Sequence, residues 1–107
     1  MANEPIEDVD AAILEAVEKG LDHFGPSFKN VVFHELKVTY NLDSKLITVK
    51  PNTFSEFLDR LFSIGAVTIR KAIVREIGLR FSLPTDQEDI SSVIKKARSS
   101  SRRNGGP

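Results

Sequence analysis

The chain contains no cysteine, which excludes disulfides, thiolate metal sites and cysteine nucleophiles. No stretch approaches the roughly 20 apolar residues that a membrane-spanning helix needs. The first five residues, Met1 to Pro5, include an acid and no base, whereas a signal peptide begins with basic residues followed by apolar ones. The sequence therefore predicts a cytoplasmic protein that does not enter a membrane.

Catalytic motifs are also missing. There is no nucleophile elbow and no glycine-rich loop between a strand and a helix, the arrangements that typically position a reactive serine or a phosphate. His23 and His34 have no companion residues at the spacing of metal ligands. We therefore expect no enzymatic activity, no metal and no cofactor.

Net charge is absent as well, because fifteen basic residues balance fifteen acidic ones. This balance argues against a domain that is held to nucleic acid mainly by its overall electrostatic field. The two signs are nevertheless separated along the chain. Seven acids lie between Glu4 and Asp22 with only Lys19 among them, whereas five bases and no acid follow from Lys95 onward.

What the sequence does contain is helical periodicity. Apolar residues recur at spacings of three and four in five segments that are separated by glycine, proline and other turn formers. The predicted helices cover about residues 6–24, 26–40, 51–64, 66–81 and 86–98. This pattern predicts an all-α fold, a compact bundle of four core helices plus a weak C-terminal fifth helix whose apolar stripe is thin.

The segment after Gly65 is predicted to be the central helix, because its isoleucines and valines cover more than half of its circumference. Gly20 lies on the apolar face of the first helix, where the lack of a side chain lets another helix approach closely. Residues 41–51 lose the helical period, and we expect a packed connector in which Leu46 or Ile47 fills the core.

The predicted organisation has four parts. Residues 1–5 form a flexible N-terminus, 6–83 the helical domain, 84–98 an appended helix, and 99–107 a disordered basic tail that lacks the apolar surface needed to offset ordering entropy.

Two charged residues interrupt the apolar stripes. Glu35 falls between Phe28 and Val31 on a helical wheel, and Arg70 falls between Ile77 and Phe81. A buried polar pair between Glu35 and Arg70 would avoid an unpaired buried charge. The alternative is that one or both side chains reach the edge of the stripe and keep their charged ends in water.

Basic residues provide candidate contacts with nucleic acid. Two of them lie one turn apart on the outer side of the fourth helix, and others lie at its end or toward the C-terminus. The candidates are Lys71, Arg75, Arg80, Lys95, Lys96, Arg98, Arg102 and Arg103. The fourth helix is however too apolar to lie exposed in a groove of DNA, so we regard nucleic-acid binding as the alternative function.

Four runs of the chain resemble a known family. They are residues 13–25, 32–36, 51–54 and 61–66, with Leu-Asp-x-x-Gly at 21–25 and Pro-x-x-Phe at 51–54 as their anchors. Over about Ile13 to Leu79 the sequence is similar to a family of small archaeal helical domains, the fifth of the series of Nitrosopumilus output domains. The resemblance implies an archaeal, cytoplasmic module for signal output or interaction, with no established enzymatic activity.

Taken together, the sequence predicts a non-enzymatic protein-interaction or signal-output module. We expect a protein partner or a homodimer formed through apolar surface left on the fourth or fifth helix. The alternative is a small nucleic-acid-binding regulator that uses Lys71, Arg75 and the basic tail.

Overall fold

The computed structural model describes residues 9–85 and 89–104, with residues 100–104 as backbone only. These residues form five α-helices and two short 3₁₀ turns, and no strand occurs among them. The all-α prediction is thereby confirmed. The helices are α1 (Val9–Asp22), α2 (Phe28–Tyr40), α3 (Pro51–Phe62), α4 (Ala66–Phe81) and α5 (Ile90–Asn104).

Helix α4 is the centre of the bundle, as its sequence predicted. It packs against α1, α3 and α5, and its inward face is buried because apolar residues recur on it at helical spacing. The buried residues of α4 are Ala66, Ile69, Ile73, Val74, Ile77 and Gly78.

Helices α1 and α4 approach each other closely at Gly20 and Ile73. A Cβ atom on Gly20 would lie 3.0 Å from the Ile73 backbone nitrogen, closer than side-chain atoms normally come. The missing side chain therefore allows the two helices to cross with their backbones nearly in contact, which confirms the interpretation of this glycine.

Residues 41–50 form the predicted packed connector. A 3₁₀ turn at Ser44–Leu46 begins after Asp43, whose carboxylate accepts a hydrogen bond from the Lys45 backbone N–H at 3.0 Å. Of the two candidates for the core, Ile47 is completely buried, whereas Leu46 is exposed. The connector thus closes the bundle with two buried apolar side chains, Leu42 and Ile47, and forms no strand.

Helix α5 is more deeply packed than its thin stripe suggested. It lies against α1, α3 and α4, and Ile90, Val93, Ile94 and Ala97 are all buried. It is part of the single core rather than an appended element.

The boundaries of α5 also differ from those predicted. The helix begins at Ile90 and continues to Asn104, which corrects the tail boundary predicted at Ser99. A helix that is anchored by a buried first half gains one hydrogen bond for each residue added, so residues 99–104 extend it. The predicted flexible N-terminus (1–5) and the last three residues of the tail (105–107) lie outside the described residues.

No helix in the described part of the chain is both long and apolar enough to cross a bilayer.

Candidate binding groove

A groove of about 830 Å³ runs along the outer side of α4. One wall is the helix itself, and the other is the chain that doubles back after Phe81 and leads to α5. Its lining residues are Val67, Arg70, Lys71, Val74, Arg75, Gly78, Leu79, Ser82, Leu83, Thr85 and Asp89.

The second wall exists because α4 ends in a sharp reversal. Ser82 adopts a left-handed conformation with φ 56° and ψ 49°, and its backbone N–H donates to the carbonyl oxygen of Gly78. The N–H of Leu83 donates to the same carbonyl at 2.9 Å, which is the bonding pattern of a left-handed helix C-terminus. The reversal turns the chain back along α4.

Gly78 keeps this returning chain close to the helix. A Cβ atom at Gly78 would overlap the methyl group of Thr85 and would lie 3.1 Å from the Leu83 carbonyl oxygen. The absence of a side chain at this position therefore sets how closely the second wall can approach α4.

Two rows of α4 side chains form the helix wall of the groove, and both follow a four-residue spacing. Rows of this kind are the ridges along which helices pack on one another. The outer row consists of Val67, Lys71, Arg75 and Leu79, all exposed. The floor row consists of Arg70, Val74 and Gly78.

The outer row combines apolar ends with a basic centre. Val67 is 47% exposed and Leu79 is 65% exposed, so each end of the row presents apolar surface. Lys71 and Arg75 have no ion-pair partner among the residues that the structure describes. This surface therefore offers both apolar contact and unpaired positive charge.

Arg70, at the head of the floor row, is held in a different way. Its guanidinium forms an ion pair with the carboxylate of Asp59 on α3. Asp59 is largely exposed, so solvent screens the pair and its contribution to stability is modest.

The expected pair between Glu35 and Arg70 does not form, and this prediction was wrong. Helix α2 packs against α1, α3 and the 3₁₀ turn of the connector, but none of its Cα atoms comes within 8 Å of a Cα atom of α4. Glu35 and Arg70 therefore lie on helices that do not face each other. A helical wheel places a charge on a side of its own helix, but it does not identify the neighbouring helix on that side.

Asp89 is the acid of the groove, and its role is structural. Its carboxylate accepts a hydrogen bond from the Ser92 backbone N–H at 2.7 Å, which caps the first turn of α5. This bond, the Ser92 side chain and the nearby charges of Lys95 and Arg70 lower the pKa of the Asp89 carboxyl below its usual value of 3.8.

The structure does not gather the eight basic candidates on one surface. Arg80 forms an ion pair with Glu15 at 3.1 Å, and Arg98 donates to Asp10 from Nε at 3.1 Å and from Nη2 at 2.8 Å. Among the candidates whose side chains the structure describes, Lys71 and Arg75 line the groove.

The remaining candidates lie on α5. Lys95 and Lys96 are exposed there, and the side chains of Arg102 and Arg103 lie outside the described part of the structure. The pairs made by Arg80 and Arg98 show that these two residues hold α4 and α5 against α1.

The histidines do not form a metal site with their neighbours. The Nε2 atom of His23 lies 2.9 Å from a Glu76 carboxylate oxygen, and His34 is exposed on α2. No group of three or more potential metal ligands occurs among the described residues.

Sequence reasoning identified two cations of the groove but not the groove. The available signals were the four-residue spacing of Val67, Lys71, Arg75 and Leu79 and the small residue Gly78 one row away. The left-handed turn at Ser82, which creates the second wall, has no comparable sequence signal because serine is not typical of that conformation.

Comparisons with protein-family models, with curated proteins and with solved structures found no match. The geometry of the groove is therefore the basis for assigning a function.

Proposed function

We propose that this protein is a non-enzymatic interaction module that binds a protein partner through the groove on α4. The observation that carries the proposal is the outer row, in which exposed Val67 and Leu79 flank the unpaired Lys71 and Arg75. Apolar side chains exposed beside a groove are typical of surfaces that bind other proteins. The role of an archaeal signal-output domain, implied by the sequence resemblance, belongs to this proposal.

The groove favours a protein over nucleic acid because of its chemistry. Binding to a nucleic acid backbone depends on several cations that neutralise phosphates together. Here Arg70, Arg80 and Arg98 already pair with carboxylates of the same chain. The surface that remains alternates apolar and basic side chains, which suits an amphipathic protein segment better than a phosphate backbone.

Nucleic-acid binding by Lys71, Arg75 and Lys95, with the C-terminal residues contributing, is the second candidate, favoured by the lack of ion-pair partners for the first two. A gel-shift titration at low and moderate salt separates the two functions. A shift that disappears in the variant Lys71→Glu/Arg75→Glu would favour the second candidate, whereas no shift with either protein would favour the first.

The proposal excludes catalysis, and the environment of Asp89 supports this. A carboxyl group with a displaced pKa in a cleft is a candidate catalytic acid or base. The largest cause of the lowered pKa of Asp89 is the hydrogen bond from the Ser92 backbone N–H. A carboxyl group engaged in such a helix cap serves the fold.

A pull-down from a native lysate with matched variants tests the proposed function. The groove variant is Lys71→Glu/Arg75→Glu, and the control is Lys37→Glu/Lys50→Glu, which makes the same change in net charge at exposed positions of α2 and the connector. We expect a partner that is retained by the wild type and the control and reduced at least tenfold by the groove variant.

Capture that is equal for all three proteins would contradict the assignment of the groove. Light scattering on the unbound protein shows whether the chain is monomeric. Circular dichroism shows whether each variant is folded.

A further inference from the structure

We infer that the partner segment is an amphipathic helix that carries carboxylates on its central turns and apolar residues on either side of them. This inference rests on the proposed function and states the chemistry of the partner that the groove binds.

The geometry of the groove points to a helix. Helices pack when a row of side chains at four-residue spacing on one lies in the groove beside such a row on the other. The outer row of α4 is a ridge of this kind, and the groove lies between this ridge and the returning residues Ser82, Leu83 and Thr85. The ridge from Val67 to Leu79 is about 18 Å long, which corresponds to about 12 residues of a partner helix.

The order of apolar and basic side chains along the ridge specifies the order of apolar and acidic residues along the partner helix. Val67 and Leu79 lie at the two ends, and Lys71 and Arg75 lie between them. Complementary potentials favour the correct partner and reject others, because like charges brought together are costly. A matching helix therefore has acidic residues at its centre and apolar residues near both ends of the contact.

A second copy of this chain does not meet these requirements through α4. A twofold axis at the centre of the ridge would place Lys71 of one copy against Arg75 of the other, since a symmetric contact pairs each surface with itself. Both cations would then be desolvated opposite like charge. A homodimer through the outer row is therefore disfavoured.

The acidic face of α1 does not serve as the occupant either. Its carboxylates at Asp10, Glu15 and Glu18 contact Arg98, Arg80 and Lys29 of the same chain. Binding through these acids would require the internal contacts to break. The occupant is thus a helix from a different protein.

A display library of helical peptides tests the inference directly. Each peptide has 18 residues, most of them fixed as leucine or alanine. Four positions on one face of the helix carry either glutamate or lysine, two at the centre of the peptide and two near its ends. The library is selected against the full-length wild type, the groove variant Lys71→Glu/Arg75→Glu and the control Lys37→Glu/Lys50→Glu.

We expect glutamate to be enriched over lysine at least tenfold at the two central positions with the wild type and the control. The groove variant should reverse this preference to lysine. Peptides that show no central preference, that show the same preference with all three proteins, or that fail to enrich over the starting library would overturn the inference.

The proposed function and the inferred chemistry of the partner are contradicted by different results. If the lysate partner depends on Lys71 and Arg75 but the library shows no central acidic preference, the proposed function stands and the partner chemistry is wrong. If neither the captured partner nor the selected peptides depend on these residues, both the proposed function and the partner chemistry are wrong.

Discussion

The backbones of α1 and α4 are so close at Gly20 and Ile73 that a Cβ atom on Gly20 would lie 2.8 Å from the Ile73 Cα atom. Neither position can move without shifting a whole helix, because both lie within long packed segments. This crossing sets the spacing of the two helices that form the centre of the bundle.

We therefore expect Gly20→Ala to destabilise the protein. Alanine favours the helix by about 1 kcal/mol over glycine, but overpacking against a backbone costs about 1–3 kcal/mol, so the net loss should reach up to about 2 kcal/mol. Gly65→Ala is the control, because the nearest neighbour of its Cβ atom is Phe62 Cβ at 3.8 Å. Urea denaturation measures both, and equal effects would show that the crossing tolerates a methyl group.

The position of the returning chain should depend on the contact between Gly78 and Thr85. In Gly78→Ala the new methyl group overlaps the Thr85 side chain, so we expect a destabilisation that Thr85→Ala partly relieves. The two substitutions should be non-additive by at least about 0.5 kcal/mol, as is typical of residues in contact. Urea denaturation of the wild type, the two single variants and the double variant measures this coupling. Additive effects would show that Thr85 does not lie against Gly78.

Double-mutant cycles distinguish the observed partner of Arg70 from the expected one. The cycle Arg70→Ala with Asp59→Ala should give a coupling of about 0.2–1 kcal/mol, the range for exposed ion pairs. The cycle Arg70→Ala with Glu35→Ala should give none, because Arg70 pairs with Asp59 and no Cα atoms of α2 and α4 lie within 8 Å of each other. A larger coupling with Glu35 than with Asp59 would contradict the packing of α2.

The cap at Asp89 predicts a dependence of stability on pH. Because its pKa is lowered in the folded state, the charged carboxylate contributes stability above the unfolded pKa of about 3.9. This contribution is lost as the pH falls through the folded pKa. Asp89→Ala should cost about 1 kcal/mol at pH 7 and less at pH 2.5. Urea midpoints at both values measure the difference, and a constant loss would show that the carboxylate is not the capping group.

Helix α5 should be essential for stability, since it is part of the core. Ile94 is buried, and replacing a buried isoleucine with alanine costs about 2–5 kcal/mol. The control Lys95→Ala changes the adjacent exposed residue and should have an effect below about 0.5 kcal/mol. Thermal melts compare the two, and a small effect of Ile94→Ala would indicate that α5 is only loosely attached.

The sequence by itself determined the helices and the faces that they bury. Periodicity is a local property, because the spacing of Ile69, Ile73 and Ile77 along the chain fixes which side of a helix is apolar. For the same reason the sequence predicted that Gly20 lets another helix approach, and it narrowed the buried connector residue to Leu46 or Ile47. The structure identified Ile73 as the neighbour of Gly20 and Ile47 as the buried residue.

Only the tertiary structure decided which charges meet and where a groove forms. Arg70 pairs with Asp59 rather than Glu35 because α4 lies against α3 and not against α2, a fact that no single helix contains. The groove likewise depends on the direction of the chain after Ser82, which is set by one left-handed residue and by the room at Gly78. Both features arise from contacts between segments, and periodicity within a segment carries no information about them.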